Sequence, residues 1–260
     1  MPARKDALPG QFGGQHPLAG LVSHAESYGP HIIDRFARQV PEVRTVVDLG
    51  AGRARDLGIV KDAHPSARTI AIEGGHEYAR ALEGKVDEVH VLDIERDRLP
   101  FANESIDLVI ANQVLEHTKE VFWIFHEVTR SLKVGGHFLF GVPNVASLHN
   151  RLLLPFGVHP TQAKMCSAHV RCFSKRDTVR FLESVFPGGY RVTGFAGSQF
   201  FPLPARAARV ASRLFPASSV CIFFLIRKET PYAEEFATYP ARANFETNFW
   251  TGDIETGSQY

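Results

Sequence analysis

The chain has 260 residues, of which 44% are hydrophobic, and it carries 29 basic and 28 acidic side chains. This supply of core-forming residues argues against a disordered chain. The net charge of +1 argues against a nucleic-acid-binding protein, which needs a concentrated basic face. The longest apolar run, Val220 to Ile226, is far shorter than the roughly 20 residues of a helical membrane span, so no span is expected.

The amino terminus and the cysteines predict the cellular compartment. The basic residues near Met1 are not followed by the apolar stretch of a secretory signal. The three cysteines, Cys166, Cys172 and Cys221, are odd in number and sparse, which is typical of a reducing compartment. We therefore expect a cytoplasmic protein, and the sequence leaves a homodimer open.

The elements predicted along the chain are those of one α/β domain with flanking segments. Residues 1–40 form an N-terminal segment with a helix from about Val22 to Gln39. Residues 41–228 alternate short apolar runs with helical periodicity, the pattern of a doubly wound sheet covered by helices on both faces. The predicted strands are Arg44–Leu49, Arg68–Glu73, Glu88–Asp93, Ile106–Asn112, His137–Val142, Arg191–Phe195 and Val220–Arg227.

Helices and loops are predicted between the later strands. Apolar residues from Val121 to Leu132 recur at helical spacing, and Gly135-Gly136 is expected to end that helix. Residues 143–173 are loop-rich, and an insertion after a strand's carboxyl end lies over the ligand crevice of a wound sheet, so we expect a cap there. Ser174-x-x-Asp177 resembles a capping box and opens the next helix.

Two segments near the carboxyl terminus have a marked charge pattern. Leu203 to Phe215 reads as a basic amphipathic helix, and core packing with a solvated basic edge is favoured over a membrane-surface role. Residues 229–260 form a tail with six acidic residues, one basic residue and several aromatic residues. A docked tail and a solvated tail remain equally open.

The strongest functional pattern is Val46-Val-Asp-Leu-Gly-Ala-Gly52, a strand that runs into a Gly-x-Gly turn. A dinucleotide fingerprint needs a third glycine at position 55, where this chain has Arg55. Asp48, Glu73 and Asp93 each end one of three consecutive strands, at the edge where α/β proteins bind ligands. These carboxylates suit an amino group, a ribose diol and an adenine amine, which together describe S-adenosylmethionine.

These residues, with Leu99–Val109 and Asn112-Gln-Val-Leu-Glu-His117, resemble class I S-adenosylmethionine-dependent methyltransferases over about residues 40–228. The resemblance implies a Rossmann-like, seven-stranded, doubly wound α/β sheet whose last strand is antiparallel, with a small cap over its carboxyl edge. It departs at Ala54, where a glycine is common, and we interpret this as a mild substitution. The residues that it implies for the cofactor are Asp48, Gly50 and Gly52 (methionine part), Glu73 with Gly74 (ribose), Asp93 and Ile94 (adenine), and Asn112 and Gln113 (closing over it).

The acceptor side is predicted at the turn after the fourth strand. Sugar and alcohol hydroxyls are poor nucleophiles, so a base near the transferable methyl group is expected. His117 is the candidate base, and Glu116 either orients its imidazole or caps the next helix. The alternative is a loop histidine that only shapes the pocket.

A metal is a second interpretation of the same turn. Some related O-methyltransferases have Glu-x-x-Glu-His here and a later histidine, whereas this chain has Gln113-x-x-Glu116-His117 with His169 downstream. A neutral amide weakens a hard-cation site, so magnesium is not favoured and no metal ligand is assigned. Zinc at Cys166-x-x-His169-x-x-Cys172 is disfavoured because only three ligands are offered.

The cap carries the predicted substrate residues Asn144, His149, Arg151 and His169, which could hydrogen-bond a polyhydroxylated acceptor. The cap segment resembles bacterial methyltransferases that act on glycans, lipids or small metabolites. We therefore expect an S-adenosylmethionine-dependent O-methyltransferase of a sugar, a glycan or another polar metabolite. The alternatives are a magnesium-dependent quinone- or lipid-type O-methyltransferase, and a non-catalytic S-adenosylmethionine-binding protein.

Overall fold

A computed structural model describes residues 27–254. The strands are β1 (Thr45–Leu49), β2 (Arg68–Glu73), β3 (Glu88–Val91), β4 (Ile106–Asn112), β5 (Leu132–Pro143), β6 (Tyr190–Ser198) and β7 (Cys221–Lys228). The α-helices are α1 (Pro30–Ala37), α2 (Arg55–Ala63), α3 (His76–Arg80), α4 (Val121–Ser131), α5 (Leu148–Leu153), α6 (Lys175–Val185), α7 (Ala205–Leu214) and α8 (Glu235–Arg242). Single 3₁₀ turns lie at Leu115–His117, Leu154–Phe156 and Pro216–Ser218.

The seven strands form one sheet in the order β3-β2-β1-β4-β5-β7-β6. β1 to β5 pair with one another in parallel, and β7 is antiparallel to both β5 and β6. The predicted fold class, with the last strand antiparallel, is therefore confirmed. The chain order reverses between β1 and β4, and ligands of wound sheets bind at such a switch point, outside the carboxyl ends of the strands.

Alternation along the central strands divides the core into two layers. In β1, Val46 packs in the layer that contains α1 and α2, whereas Val47 packs in the layer that contains α4, α6 and α8. Leu139 of β5 packs in the first layer, and its neighbours Phe138 and Phe140 pack in the second. Because successive strand residues point to opposite faces, these near-continuous apolar runs cover both sides of the sheet.

The helix ends differ from prediction in two places. α4 ends at Ser131 and β5 begins at once, so Gly135 and Gly136 lie inside the strand and do not end the helix. A Cβ on Gly136 would lie 2.9 Å from the carbonyl oxygen of Lys133, so the glycine allows a close backbone approach there. The predicted Val22–Gln39 helix is interrupted at Gly29, whose φ is +51°, and its part before residue 27 lies outside the described residues.

The cap of α6 follows the sequence prediction. Ser174 has an extended backbone and its Oγ accepts a hydrogen bond from the N–H of Asp177, at 3.3 Å. This bond satisfies one of the unpaired N–H groups at the start of the helix.

The described part of the tail docks on the outside of α4 and α6. Phe236 of α8 is fully buried, and its ring centroid lies 5.2 Å from that of Phe125 and 5.6 Å from that of Phe181. Further along, the indole N–H of Trp250 donates to the carbonyl of Arg96 at 3.0 Å. The tail is thus part of the second core layer, and the acidic residues that precede and follow Phe236 do not keep it in solvent.

The face that α7 buries is not the one that the sequence predicts. Ala208 and Ser212 are buried against the body of the protein, whereas Val210 and Leu214 are 59% and 68% exposed. The prediction that the apolar stripe of α7 packs into the core is therefore wrong, because the small residues Ala208 and Ser212 make the inward contacts of this helix.

Candidate functional site

The Gly-x-Gly turn after β1 forms the centre of the carboxyl edge. Gly50 has φ +68° and donates its N–H to the carbonyl of Ile72 at 2.8 Å, which ties the turn to β2. A Cβ on Gly50 would lie 2.8 Å from Cγ2 of Val114, so only glycine fits. A Cβ on Gly52 would meet nothing nearer than the oxygen of Gly50 at 4.0 Å, so open space lies above this glycine.

Three carboxylates surround this open space. The Gly52 N–H donates to Oε1 of Glu73, which links the turn to the end of β2. Burial raises the pKa of Asp48 well above its usual value, and the nearby carboxylates of Asp56 and Glu73 raise it further, against the opposing effect of Arg55. Asp56, in the first turn of α2, was not predicted as a site residue, although its place at the start of this helix was a usable signal. A cationic group placed here would relieve the repulsion among these acids.

The predicted adenine side lies after β3, next to the same edge. Asp93 is exposed, and its Oδ1 accepts from the N–H of Glu95 at 2.9 Å. Ile94 is half-buried and packs against the second core layer. A Cβ on Gly74 would meet only the carbonyl of Leu92, at 4.0 Å. This side therefore offers a carboxylate, an apolar side chain and an open glycine, which fit an adenosine.

Two predicted cofactor residues are Asn112, which ends β4, and Gln113, which follows it. One amide atom of each contacts another residue, whereas Asn112 Oδ1 and Gln113 Nε2 are buried without a hydrogen-bond partner among the described residues. Nδ2 of Asn112 donates to Asp56 at 2.7 Å and to the carbonyl of Tyr28 at 3.0 Å. Oε1 of Gln113 lies 3.9 Å from the thiol of Cys221. Asn112 therefore links the segment before α1 to the start of α2, and the predicted contacts of Asn112 and Gln113 with the cofactor remain predictions. Nothing in the sequence pattern predicts a role for Tyr28 here.

The turn at Leu115–His117 brings Glu116 into the interior. Glu116 is 1% exposed, and burial raises its pKa to about 8. Its Oε2 has no hydrogen-bond partner among the described residues. Its backbone carbonyl accepts from the N–H groups of Val170 at 2.8 Å and Arg171 at 3.1 Å. The cap is thereby fastened to the turn that carries the predicted catalytic residues.

His117 lies on the open side of this turn, with a side chain 44% exposed. Its Nδ1 is 3.2 Å from the carbonyl oxygen of Ala168, and its Nε2 is 3.9 Å from Oε1 of Glu116. Because a carbonyl only accepts hydrogen bonds, the Nδ1 proton is fixed, and Nε2 of the neutral ring holds the free lone pair.

His169 stands beside His117, as the metal interpretation requires. The two ring centroids are 4.8 Å apart, and Nδ1 of His169 is buried without a partner among the described residues. Burial lowers the pKa of His169, and the neighbouring His117 lowers it further. One ligand atom from each of Glu116, His117 and His169 lies within 4.8 Å of the others.

This donor set fits some metals better than others. Two imidazoles and one carboxylate suit zinc or manganese, whereas magnesium prefers oxygen ligands. Gln113 holds the place of the missing second carboxylate; its Oε1 lies 3.9 Å from the thiol of Cys221, and its Nε2 has no hydrogen-bond partner among the described residues. The cysteines of the disfavoured zinc interpretation, Cys166 and Cys172, are exposed and do not belong to this group within residues 27–254.

The remaining predicted substrate residues are built into the cap itself. Asn144 is fully buried, and its Nδ2 donates to the carbonyls of Ala217 and Ser219, so it has no free group for an acceptor. Both ring nitrogens of His149 are paired, with Ser147 and Thr161. Arg151 is exposed, and its Nε donates to the carbonyl of Ala146 within the cap. Asn144 is therefore corrected to a structural residue, because its amide is consumed in holding the cap to the 217–219 loop.

The tail reaches this region through Arg171. Its guanidinium donates to the carbonyl of Lys119 and lies 5.8 Å from the ring centroid of Phe249. The backbone N–H of Trp250 donates to the carboxylate of Glu120 at 2.8 Å. The tail therefore borders the turn and the cap from the outside, and up to residue 254 it contributes no side chain to the group of Glu116, His117 and His169.

The chain is similar to known proteins over part of its length. Residues 47–140 match a family described as "Methyltransferase domain". Malonyl-[acyl-carrier protein] O-methyltransferase of Methylococcus capsulatus is 25% identical over 132 residues, which are 50% of this chain and 48% of that protein. Dimethylglycine N-methyltransferase of Parasynechococcus marenigrum is 31% identical over 130 residues, 48% of this chain and 46% of that protein.

A solved structure gives the same fold over a larger share of the chain. The complex of the Haloferax volcanii Trm112 methyltransferase activator with a methyltransferase superposes with a TM-score of 0.57 and 18% identity, over 80% of this chain and 92% of that chain. The chain spans about half the length of the curated relatives that it matches. Within residues 27–254, no helix has the length and apolar character needed to cross a membrane.

Proposed function

We propose that the chain is a class I S-adenosylmethionine-dependent methyltransferase, which its match to a methyltransferase domain over residues 47–140 supports, and that it methylates a hydroxyl oxygen of a sugar, a glycan or another polar metabolite. The observation that carries the choice of a hydroxyl is the bond from His117 Nδ1 to the Ala168 carbonyl, which leaves Nε2 as a proton acceptor at the open side of the turn.

The carboxyl edge supplies the residues that would hold the cofactor. S-adenosylmethionine, when bound, supplies a methyl group on a sulfonium centre. Its positive charges suit the acidic group of Asp48, Asp56 and Glu73, and Gly50 and Gly52 let the backbone approach closely. The second oxygen of Glu73 is the proposed acceptor for the ribose hydroxyls, with Asp93 and Ile94 beside the adenine.

His117 is the proposed general base. A hydroxyl is a weak nucleophile until its proton is removed, and a positioned imidazole does this near neutral pH. The Nδ1 bond fixes the ring, so Nε2 receives the proton. The protonated form of Glu116, which its raised pKa favours, would hold its own proton and not compete for that of the acceptor.

The alternative acceptors differ in whether they need this base. The relatives act on different atoms, since one is named an O-methyltransferase of malonyl-[acyl-carrier protein] and another a dimethylglycine N-methyltransferase. A carboxylate is already ionised at neutral pH, so it gains little from a general base. The presence of a positioned histidine therefore favours a hydroxyl over a carboxylate.

Methyl transfer from labelled S-adenosylmethionine to a panel of sugars, glycans, alcohols, carboxylates and amines tests the proposal. We expect label in alcohol or sugar hydroxyls, and a turnover with His117→Ala that is lower by about 10²-fold or more. Label only in carboxylates, nitrogen or carbon contradicts the hydroxyl assignment. Tight cofactor binding without transfer to any member of the panel supports the non-catalytic alternative.

A metal-assisted O-methyltransferase of the quinone or lipid type is the second candidate, because Glu116, His117 and His169 already converge. These three residues would hold a divalent ion of the zinc or manganese kind, which would lower the pKa of an acceptor hydroxyl. In this case His169 is as important as His117, whereas a general base at His117 does not need the ring of His169.

The two candidates are separated by His169→Ala and by metal titration followed as a thermal shift. Metal-assisted transfer predicts that zinc or manganese raises the unfolding temperature of the wild-type chain, that His169→Ala abolishes the rise, and that both histidine variants lose activity together. General-base transfer predicts no such rise and a much larger loss with His117→Ala than with His169→Ala.

A further inference from the structure

The charges of this chain are divided between two parts of the sequence. Residues 128–228 contain 14 Lys and Arg but only 2 Asp and Glu, whereas the remaining residues contain 15 Lys and Arg and 26 Asp and Glu. The basic part includes the cap, α6, β6 and α7. Five of these basic residues are paired with carboxylates outside the stretch, namely Arg130, Lys133, Arg191, Arg227 and Lys228. The cap, α6 and α7 carry further exposed basic side chains, which would attract an anionic surface.

α7 presents one side of this basic region to solvent. Arg206, Arg209, Val210, Arg213 and Leu214 follow the spacing i, i+3, i+4, i+7 and i+8, so they share one helix face. All five are exposed, and the opposite face is the one that packs through Ala208 and Ser212. We name the exposed five the arginine-apolar face.

Further exposed apolar side chains lie at the end of α7 and in the cap. Phe215 is 62% exposed, and in the cap Leu152 and Phe156 are 61% and 83% exposed. The two segments meet where the ring centroid of His149, in α5, lies 5.4 Å from that of Phe201, shortly before α7. Large apolar side chains held in water beside arginines are typical of a surface that inserts between lipid headgroups.

We propose that the arginine-apolar face of α7, together with Phe215 and the exposed cap residues Leu152 and Phe156, docks on an anionic membrane surface. The arginines bind lipid phosphates, and Val210, Leu214 and Phe215 enter the boundary between headgroups and acyl chains. The surface borders the cap, so docking would bring the carboxyl edge of the sheet to the membrane and give it access to an acceptor carried by lipid.

Two other occupants fit less well. A nucleic acid would pair with the arginines but would leave Val210, Leu214 and Phe156 in water. An acidic protein surface would pair with the arginines, but its rim would not accept so many large apolar side chains. Anionic lipid satisfies both halves of the surface at once.

The test is co-sedimentation of the full chain with vesicles, which needs neither cofactor nor acceptor and so stands apart from the proposed methyl transfer. We expect binding to vesicles of mixed phosphatidylglycerol and phosphatidylcholine that is at least about tenfold stronger than binding to phosphatidylcholine alone, and that weakens with salt. No binding to the anionic vesicles, or equal binding to both kinds, overturns the proposal.

Three variants locate the surface. Arg206→Gln with Arg213→Gln should weaken binding to anionic vesicles by about 25-fold, from about 1 kcal/mol for each basic residue. Val210→Glu with Leu214→Glu should abolish it. Val134→Glu makes the same kind of change at another exposed valine. Val134 lies near the start of β5, at the sheet edge opposite to the carboxyl edge, so this variant should bind as the wild-type chain does. Arg206 and Arg213 are exposed in the wild-type chain, so their replacement should preserve the fold. Unchanged binding by this double variant also overturns the proposal.

Discussion

The carboxylate of Glu73, at the end of β2, accepts a hydrogen bond from the backbone N–H of Gly52, in the turn after β1. One oxygen thus holds the glycine turn, and the other is left to accept hydrogen bonds from a ribose diol. Glu73→Ala should weaken S-adenosylmethionine binding by roughly 2–3 kcal/mol, measured by calorimetry, because charge-assisted bonds are lost.

Glu77→Ala is the matched control, since Glu77 lies in α3 just after the same strand and is exposed. The Glu77→Ala variant should bind S-adenosylmethionine with the affinity of the wild-type chain. Unchanged affinity in the Glu73 variant would remove this residue from the ribose role.

The backbone at Ala54 predicts a stabilising substitution. Ala54 precedes α2 with φ +58° and ψ +24°, a left-handed conformation that costs an alanine about 1–2 kcal/mol. The sequence alone indicates that alanine in place of the common glycine is a mild substitution, but at this position it imposes backbone strain. Ala54→Gly should raise the free energy of unfolding by up to about 1 kcal/mol, after the greater entropy of the unfolded glycine chain is subtracted. Urea denaturation measures the change.

Ala51→Gly provides the comparison for Ala54. Both alanines are 8% exposed, but Ala51 is not among the residues with positive φ. Loss of the Ala51 methyl should therefore destabilise the chain by about 1 kcal/mol. Equal destabilisation by both variants would show that the left-handed backbone carries no strain.

Glu127 makes stability depend on pH. It is 2% exposed, and burial alone would raise its pKa. The ring of His126, whose Nε2 lies 3.4 Å from Oε1, together with hydrogen bonds from Arg130 and the N–H of Leu99, outweighs burial and lowers the pKa from 4.5 to about 2. The carboxylate therefore contributes stability that is fully present above about pH 4.5 and is lost as the pH falls toward 2.

Glu127→Gln should cost about 3 kcal/mol at pH 7 in the free energy of unfolding, and the difference from the wild-type chain should shrink as the pH falls from 4.5 to 3. Urea titrations at several pH values measure it. Glu83→Gln, at an exposed position after α3, should show neither the cost nor its pH dependence. A cost that stays constant down to pH 3 would mean that packing, and not ionisation, is lost.

The docking of the tail on the core predicts that its buried aromatic residue contributes to the stability of the whole domain. Phe236 is fully buried among the rings of the second core layer, so Phe236→Ala should cost about 3–5 kcal/mol of stability. Phe245→Ala changes a ring that is 38% exposed and should cost much less. Thermal unfolding followed by calorimetry compares the two. Similar small effects would mean that the tail is peripheral to the core.

The fold was largely predictable from the sequence because its signals are local. All seven strands lie at the predicted places, and Ser174 caps α6 as its sequence indicates. The positive φ at Gly50 and the acids at the ends of β1 and β2 follow from the strand-turn-helix pattern. Each of these signals rests on residues that are neighbours along the chain or end adjacent strands.

The remaining features depend on contacts between distant segments. Asn144 is unavailable to an acceptor because its amide donates to the carbonyl of Ala217, 73 residues further along the chain. The hydrogen bond between Asn112 and Tyr28 spans 84 residues. The outward apolar face of α7 could not be read from its periodicity, since periodicity gives a stripe but not the direction in which it points. The meeting of His117 and His169 was suggested by resemblance alone.

The insertion of β7 between β5 and β6 has a consequence for the order of synthesis. β6 pairs only with β7 in the described sheet, and β5 keeps one unpaired edge until Cys221–Lys228 has left the ribosome. A nascent chain that stalls before this strand exposes the backbone edge beside Phe138 and Phe140, an apolar template for wrong pairing. We expect the polypeptide to be most prone to aggregation late in translation, just before the final strand closes the sheet.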